Sequence, residues 1–246
     1  MKRAEIDARN LHYRELNEQI HQLVHQGVKL IRLRNVNGQR YIGDGIRGKI
    51  RMEIEGIPGN DLAAFMEGPT IITSTNAQDA VANTMNDGKV LIHGDAGDVL
   101  GYGMRGGKLY ILGNVGYRVG IHMKSYKKKI PIIMIGGTTR DFLGEYQAGG
   151  VIAVLGLNSS GGSPVGNFIG TGMHGGVIYI RDGVDSFQLG KEVSISPLND
   201  SDKTWLKIHL KEFCEDFGLS FDEVMGEEFI KLCPTHLRPY GKIYAY

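Results

Sequence analysis

MEGPTIITST at Met66–Thr75, MNDGKVLIHG at Met85–Gly94 and MRGGKLYILG at Met104–Gly113 are three copies of one unit. Met66, Met85, Met104 and Met123 stand 19 residues apart. QAGGVIAVLG from Gln147 and MHGGVIYIRD from Met173 are later copies. Each unit opens near a glycine or its substitute, runs through a short β-favouring stretch and ends in a turn. A second glycine keeps the register, because Gly94 and Gly101, Gly113 and Gly120, and Gly137 and Gly144 are pairs seven apart. The step lengthens by five between Met123 and Gln147 and by seven between Gln147 and Met173. The extra residues fall in KSYKKK (Lys124–Lys129) and LNSSGGSP (Leu157–Pro164), which read as loops bulging from the repeat.

A fixed period near 19 is the mark of a solenoid. Strands such as VLIHG and LYILG are too close together for a helical crossover, which needs a dozen or more residues. Each unit is therefore one coil, stacked on the next at strand spacing around a continuous apolar core. The fold expected is all-β at its core: a right-handed parallel β-helix over 35–185, with an N-terminal helix and lead-in strand over 1–34 and a helical tail over 186–246. The 36 glycines follow from this fold. Sharp corners need positive φ or close backbone approach between layers. The corner set is Gly43, Gly48, Gly94, Gly101, Gly106, Gly113, Gly120, Gly137, Gly144, Gly149, Gly156, Gly170 and Gly175.

GDGIRG (Gly43–Gly48), GYGMRG (Gly101–Gly106) and GTGMHG (Gly170–Gly175) all match the G-x-G-x-x-G of dinucleotide sites. That motif binds a pyrophosphate only where it opens a helix. Here each copy runs straight into a β-rich stretch, so the glycines read as structural.

Residues 7–26 read as an amphipathic helix with Leu16, Ile20, Leu23 and Val24 on one face and Gly27 as its stop. A second helix is expected over 201–217, with Leu206, Leu210, Phe213 and Phe217 on one stripe, Ser201 as N-cap and Gly218 as stop. A shorter one should start after Ser220, with Glu223 completing a capping box, and end before Pro234.

Net charge is +1 on 246 residues, so no general pull toward nucleic acid or anionic membrane exists. No apolar run is long enough to span a membrane. The N-terminus lacks the apolar stretch of a secretory signal. Two cysteines, Cys214 and Cys233, are too few for a disulfide framework, which suits a reduced, cytoplasmic setting.

Candidate chemistry is thin. His21 and His25 have the i, i+4 spacing of a metal pair, but no Glu or Cys completes a set. His93, His122 and His174 sit at different repeat phases. Asp95 and Asp98 in GDAGD read as turn aspartates that bond the local backbone. Ser159 and Ser160 lack the context of a nucleophile elbow. Neither cysteine has a base beside it in sequence. No catalytic, cofactor-binding or metal residue is expected, and no cofactor. Lys124, Lys127, Lys128 and Lys129, with Tyr126, form the densest charge and read either as a solvated loop or as a docking site for an acidic partner.

GDAGDVLGYGMRGGKLYI (Gly94–Ile111) resembles the signature coil of the C-terminal GXGXG domain of glutamate synthase. NVNGQRYIGDGIRGKI (Asn35–Ile50) resembles that domain's opening segment. EYQAGGVIAVLG (Glu145–Gly156), GNFIGTGMHGGVIYIRD (Gly166–Asp182) and FIKLCP (Phe229–Pro234) resemble later segments in the same order. Between Met104 and Gln147 the chain is about one coil shorter than that domain. The resemblance implies a non-catalytic β-helix that holds a glutaminase (amidotransferase) part and an FMN and iron–sulfur synthase part in register. Here those parts would be separate partner chains, without nucleic acid or membrane; self-association stays open. The repeated G-[DN]-[AV]-G start also resembles the β-helical subunit of formylmethanofuran dehydrogenase, which leaves a complex of that type as an alternative. A hexapeptide-repeat acyltransferase is the remaining alternative, and the 19-residue step without hexads disfavours it.

Overall fold

Stacking is visible in one column of side chains. Ile31, Met52, Ile71, Val90, Leu109, Ile133, Ile152 and Ile178 occupy the same register position in eight successive strands. All eight are fully buried. The computed structural model describes residues 2–159, 161–226 and 228–236. Its strands are β1 (Arg3–Asp7), β2 (Leu30–Asn37), β3 (Arg51–Ile57), β4 (Glu67–Thr73), β5 (Asp87–Ile92), β6 (Lys108–Ile111), β7 (Ile132–Ile135), β8 (Ala148–Val154), β9 (Gly175–Arg181), β10 (Val193–Ser196) and β11 (Phe229–Pro234). They form one sheet in the order β1 to β9, then β11, then β10. Neighbours from β1 to β9 are parallel, and β11 and β10 close the sheet antiparallel. This is a parallel β-helix.

The methionine step is a second inward column. Met66, Met85, Met104, Met123 and Met173 are buried, with Gln147 in the same place in its own coil. Gln147 sits in the core by donating from Nε2 to Gly149 O (3.2 Å) and Gly150 O (3.1 Å). Lys108 pairs with Ile132 and Val151 with Val177. The two long steps of the repeat therefore lie outside the strands, in the segments read as loops.

The flanks differ from the sequence reading in four places. Helix α1 spans Tyr13–His25, not 7–26; residues 3–7 are β1, which pairs with β2. His12 caps it, with Glu15 bonding back to the His12 amide. Its Leu16 and Ile20 join the coil core, with Leu23 and Val24 packed against it. Helix α2 spans Asp200–Phe217 and is capped by Asn199, not Ser201. Asn199 accepts from the Asp202 amide (3.0 Å), and Asp202 accepts from the Asn199 amide (2.8 Å). Gly218 ends it in the left-handed conformation (φ 68). Helix α3 (Phe221–Met225) has no side-chain cap bond at Ser220, so the expected capping box is not made. The FIKLCP tail is a strand: β11 pairs with β9, a contact that local sequence does not encode.

The outward face of the sheet explains α2. At its N-terminal end this face carries Arg32 and Glu53, joined at 2.9 Å, and needs no cover. Further along it carries Leu91, Tyr110, Met134, Ala153 and Tyr179, all buried with Leu206, Leu210 and Phe213 of α2. An apolar face of this kind must be covered, and the helix stripe covers it.

Candidate functional site

The corners of the coil serve two distinct physical needs. At the first corner, an Asn or Asp in one coil accepts a hydrogen bond from an amide of the next. Asn76 Oδ1 takes the Asp95 amide (2.9 Å), Asp95 Oδ1 takes that of Asn114 (2.7 Å), and Asn114 Oδ1 takes that of Thr138 (2.9 Å). A parallel column runs from Asp79 to the Asp98 amide (2.9 Å) and from Asp98 to the Tyr117 amide (2.8 Å). The residue before each donor is glycine, because a Cβ there would fall on the carboxylate or amide oxygen of the coil below, as at Gly113 against Asp95. Gly94 and Gly137 stand in the same column, and neither has positive φ. Asp95 and Asp98 thus bond the neighbouring coil, not their own turn, which corrects the reading of them as local turn aspartates.

At the second corner, three positions two residues apart take left-handed φ in coil after coil: Val99, Gly101, Gly103; Arg118, Gly120, His122; Phe142, Gly144, Tyr146; Phe168, Gly170, Gly172. In the first three sets the outer two amides bond the following coil, and in all four the middle one bonds the preceding coil. His122 N donates to Glu145 O (3.0 Å) and Gly120 N to Leu100 O (2.8 Å). The middle glycine has a second constraint: a Cβ on Gly120 would lie 2.5 Å from Ile152 Cδ1 in the core. Of the remaining predicted corner glycines, Gly43, Gly48 and Gly156 also have positive φ. Gly106, Gly149 and Gly175 instead lie where a Cβ would strike the coil beside them. The three G-x-G-x-x-G segments lead into β3, β6 and β9 without a helix.

The structure scatters the other candidates. His93 packs edge-on to Phe217 (5.0 Å), His122 stacks on Tyr146 (5.2 Å) and His174 Nδ1 is 3.1 Å from Gly172 O. Among the described residues no three His, Cys, Asp or Glu side chains gather as a metal set, His21 and His25 included. Cys214 is buried beside the α2 stripe, and burial pushes its thiol up. Cys233 is half-buried in β11. Ser159 bonds its own loop at Gly162 O (3.3 Å), and Ser160 lies outside the described residues.

The lysine loop divides. Lys129 reaches back to Glu67 at 2.8 Å and ties the loop to the coils, holding the Glu67 carboxyl below its usual range. Lys127 lies over the Tyr126 ring (5.3 Å), and both Lys127 and Lys128 are exposed, while Lys124 is half-buried. Between this loop and α2 is a cleft of about 410 Å³ lined by Lys89, Lys108, Lys129, Ile130 and Glu212. Its cations are neutralised from within. Glu212 takes Lys89 (2.9 Å) and Lys108 (2.5 Å), and Asp216 also binds Lys89. Burial alone would raise the Glu212 carboxyl; the bonds from Lys108 and Lys89 outweigh it and hold the group at about 2. Burial, with Glu212 alongside, pushes the Tyr110 hydroxyl upward.

One grouping escaped the sequence reading. Tyr102, His122 and Tyr146, and beside them Arg118, Phe142 and Phe168, line up on the second corner. The shared phase of Arg118, Phe142 and Phe168, and that of His122 and Tyr146, shows only when the loop insertions are subtracted from the 19-residue step.

Among the described residues no helix is long and apolar enough to cross a membrane. An uncharacterized protein of Methanocaldococcus jannaschii is 48% identical over 254 aligned positions, covering all of this chain and 97% of that protein. A ferredoxin-dependent glutamate synthase 2 of Synechocystis sp. is 32% identical over 160 positions, 62% of this chain. The match spans only 10% of that synthase. The family model described as the GXGXG motif matches residues 14–238, and with the coil stack and corner columns that carry the motif in place, the chain belongs to the GXGXG motif family, related to glutamate synthase.

Proposed function

We propose that this chain is a non-catalytic scaffold subunit of a glutamate synthase-like complex, positioning separate amidotransferase and FMN and iron–sulfur synthase chains. The observation that carries this reading is the family match across 14–238, together with the 32% identity of 62% of this chain to about a tenth of a glutamate synthase. A coil stack with a continuous buried column and corners stitched in both directions suits a rod that fixes distances between them. The exposed Lys127 and Lys128 offer an acidic partner an electrostatic contact that sets orientation.

The test is reconstitution. The chain is mixed with the separately encoded flavin and iron–sulfur chain and the amidotransferase chain of the same organism, and the mixture is resolved by size-exclusion chromatography. Glutamine-dependent glutamate formation is measured with and without the scaffold. Co-elution and a several-fold gain in coupled activity are expected, with no flavin or iron absorbance in the isolated scaffold. Separate elution with unchanged activity would overturn the proposal.

A further inference from the structure

Helix α2 sorts its charges between two faces. It carries five carboxylates, Asp200, Asp202, Glu212, Glu215 and Asp216. Three of them turn to the sheet and are neutralised there: Asp202 by Lys231 (2.8 Å), Glu212 by Lys89 (2.9 Å) and Lys108 (2.5 Å), and Asp216 by Lys89. The three lysines of the helix turn the other way. Lys203, Lys207 and Lys211 are exposed, and among the described residues none of them is ion-paired. They follow one another at four-residue steps, so they climb one shoulder of the helix about 6 Å apart. The helix gains nothing from this arrangement. Like charges four residues apart destabilise it, and Lys203, one turn from the N-terminus, stands against the helix dipole. Ile208 lies on the same outer face and is 58% exposed. Asp200 and Glu215, both exposed, bound the stripe at its two ends.

We propose that this outer face of α2 docks an acidic surface of a partner protein chain; the inference rests on the scaffold reading above. Charge decides the chemistry of the occupant. Three unpaired cations match carboxylates at about the same 6 Å spacing, as on one face of an acidic helix, and Ile208 adds an apolar contact among them. The footprint is short, about 12 Å from the first lysine to the last, because carboxylates close it at both ends. That length disfavours a nucleic acid, since three lysines between carboxylates release few counterions. A membrane takes up a helix through its apolar face, and that face of α2 is buried against Leu91, Tyr110, Met134 and Tyr179. The stripe is also separate from the lysine loop. At 3.6 residues per turn Lys207 lies about 140° around the helix from Glu212, which lines the loop cleft. Each of two partner chains then has a basic surface of its own.

The probes are the purified flavin and iron–sulfur chain and the amidotransferase chain of the same organism, each followed by biolayer interferometry against the whole scaffold. The variant is Lys203→Gln/Lys207→Gln/Lys211→Gln. Removing like charges from one helix face should hold or raise the melting temperature. The association rate with one of the two chains should fall about ten-fold at low salt, with a smaller change in dissociation and a flatter salt dependence, as loss of electrostatic steering requires. Lys203→Arg/Lys207→Arg/Lys211→Arg keeps the charge and should keep the wild-type rate. If the Gln variant does not fold, Lys207→Gln/Lys211→Gln leaves the first turn untouched and is read in the same way. A folded Gln variant with unchanged rates and salt dependence toward both chains overturns this inference and leaves the scaffold reading standing. Wild-type protein that binds neither chain removes both. Binding of phosphatidylglycerol vesicles or of a 20-nucleotide oligothymidine that the Gln variant loses also overturns the inference, in favour of a membrane or nucleic acid.

Discussion

Two glycines of one coil separate the two reasons for glycine. Gly113 has ordinary φ, but an added Cβ would lie 2.7 Å from Gly94 O and closer still to Asp95 Oδ1. Neither neighbour can yield without breaking the bond from Asp95 to the Asn114 amide. Gly113→Ala should therefore cost about 2–3 kcal/mol, the upper range for overpacking against fixed atoms. Gly103 has φ +57 and nothing nearer to an added Cβ than Thr84 Oγ1 at 3.6 Å. Gly103→Ala should cost only the conformational term, about 1 kcal/mol. Urea midpoints of the two variants measure the difference, and equal losses would mean that the corners do not differ in kind. The carboxylate in the same column gives a second prediction. Asn76 and Asn114 occupy the place of Asp95 in adjacent coils. Asp95→Asn keeps the acceptor and should change stability by less than about 0.5 kcal/mol. Asp95→Ala removes it and should cost about 1 kcal/mol. At this scale the sequence disclosed where glycine recurs but left its cause open. Nothing local in GDAGD distinguishes an aspartate that bonds its own turn from one that bonds a turn 19 residues on.

At the scale of elements, α2 is held on the sheet by its apolar stripe and by ion pairs. Tyr179 Oη donates to Asp202 (2.7 Å) and Lys231 binds the same carboxylate (2.8 Å) at one end. Lys89 and Lys108 bind Glu212 farther along. The Glu212 carboxyl lies at about 2 in the folded protein against an ordinary 4.5. A carboxyl depressed by folding stabilises fully above its unfolded pKa, and that contribution is lost as pH falls toward the folded value. The window here is pH 4.5 down to about 2. After discounting for solvent screening of a group that remains partly exposed, the contribution is about 1–2 kcal/mol. Glu212→Gln should lower the unfolding free energy read from urea titration by that amount at pH 6, and the gap to the wild type should close as pH approaches 2. A gap that stays constant across this range would show that the lysine pairs do not hold the helix. The stripe Leu206, Leu210 and Phe213 was legible from its spacing, and so was the Gly218 stop. The β1 and β11 strands were not. RAEID and FIKLCP become strands by pairing with β2 and β9, and such long-range pairing overrides what short segments prefer.

For the whole molecule, stacking makes register the governing quantity. A residue matters less for what it is than for the column it occupies, and the columns run through strands, first corners and second corners alike. The 19-residue frame was readable because every wall of the coil obeys it. The columns Arg118, Phe142, Phe168 and His122, Tyr146 at the second corner were not, because two insertions shift their phase. Those insertions predict where the molecule tolerates added length. The tip at Lys127 and Lys128 lies in the loop that follows Met123, outside the strand register, which resumes at Ile132. Four Gly–Ser residues inserted between Lys127 and Lys128 lengthen only this tip, and the entropic cost of a slightly longer loop is about 0.5 kcal/mol. The same four residues after Gly97 fall between Asp95 and Asp98, both of which must meet amides of the next coil. They would displace one column against the other and leave the polar groups on both sides unpaired. In a solenoid each coil also depends on its neighbours, so the damage should spread. Melting followed by circular dichroism should show the Lys127 insertion within about 2 °C of the wild type, the shift that loop cost implies for a domain of this size. The Gly97 insertion should give an insoluble or unfolded chain. Equal tolerance at both positions would contradict a corner built on columns between coils.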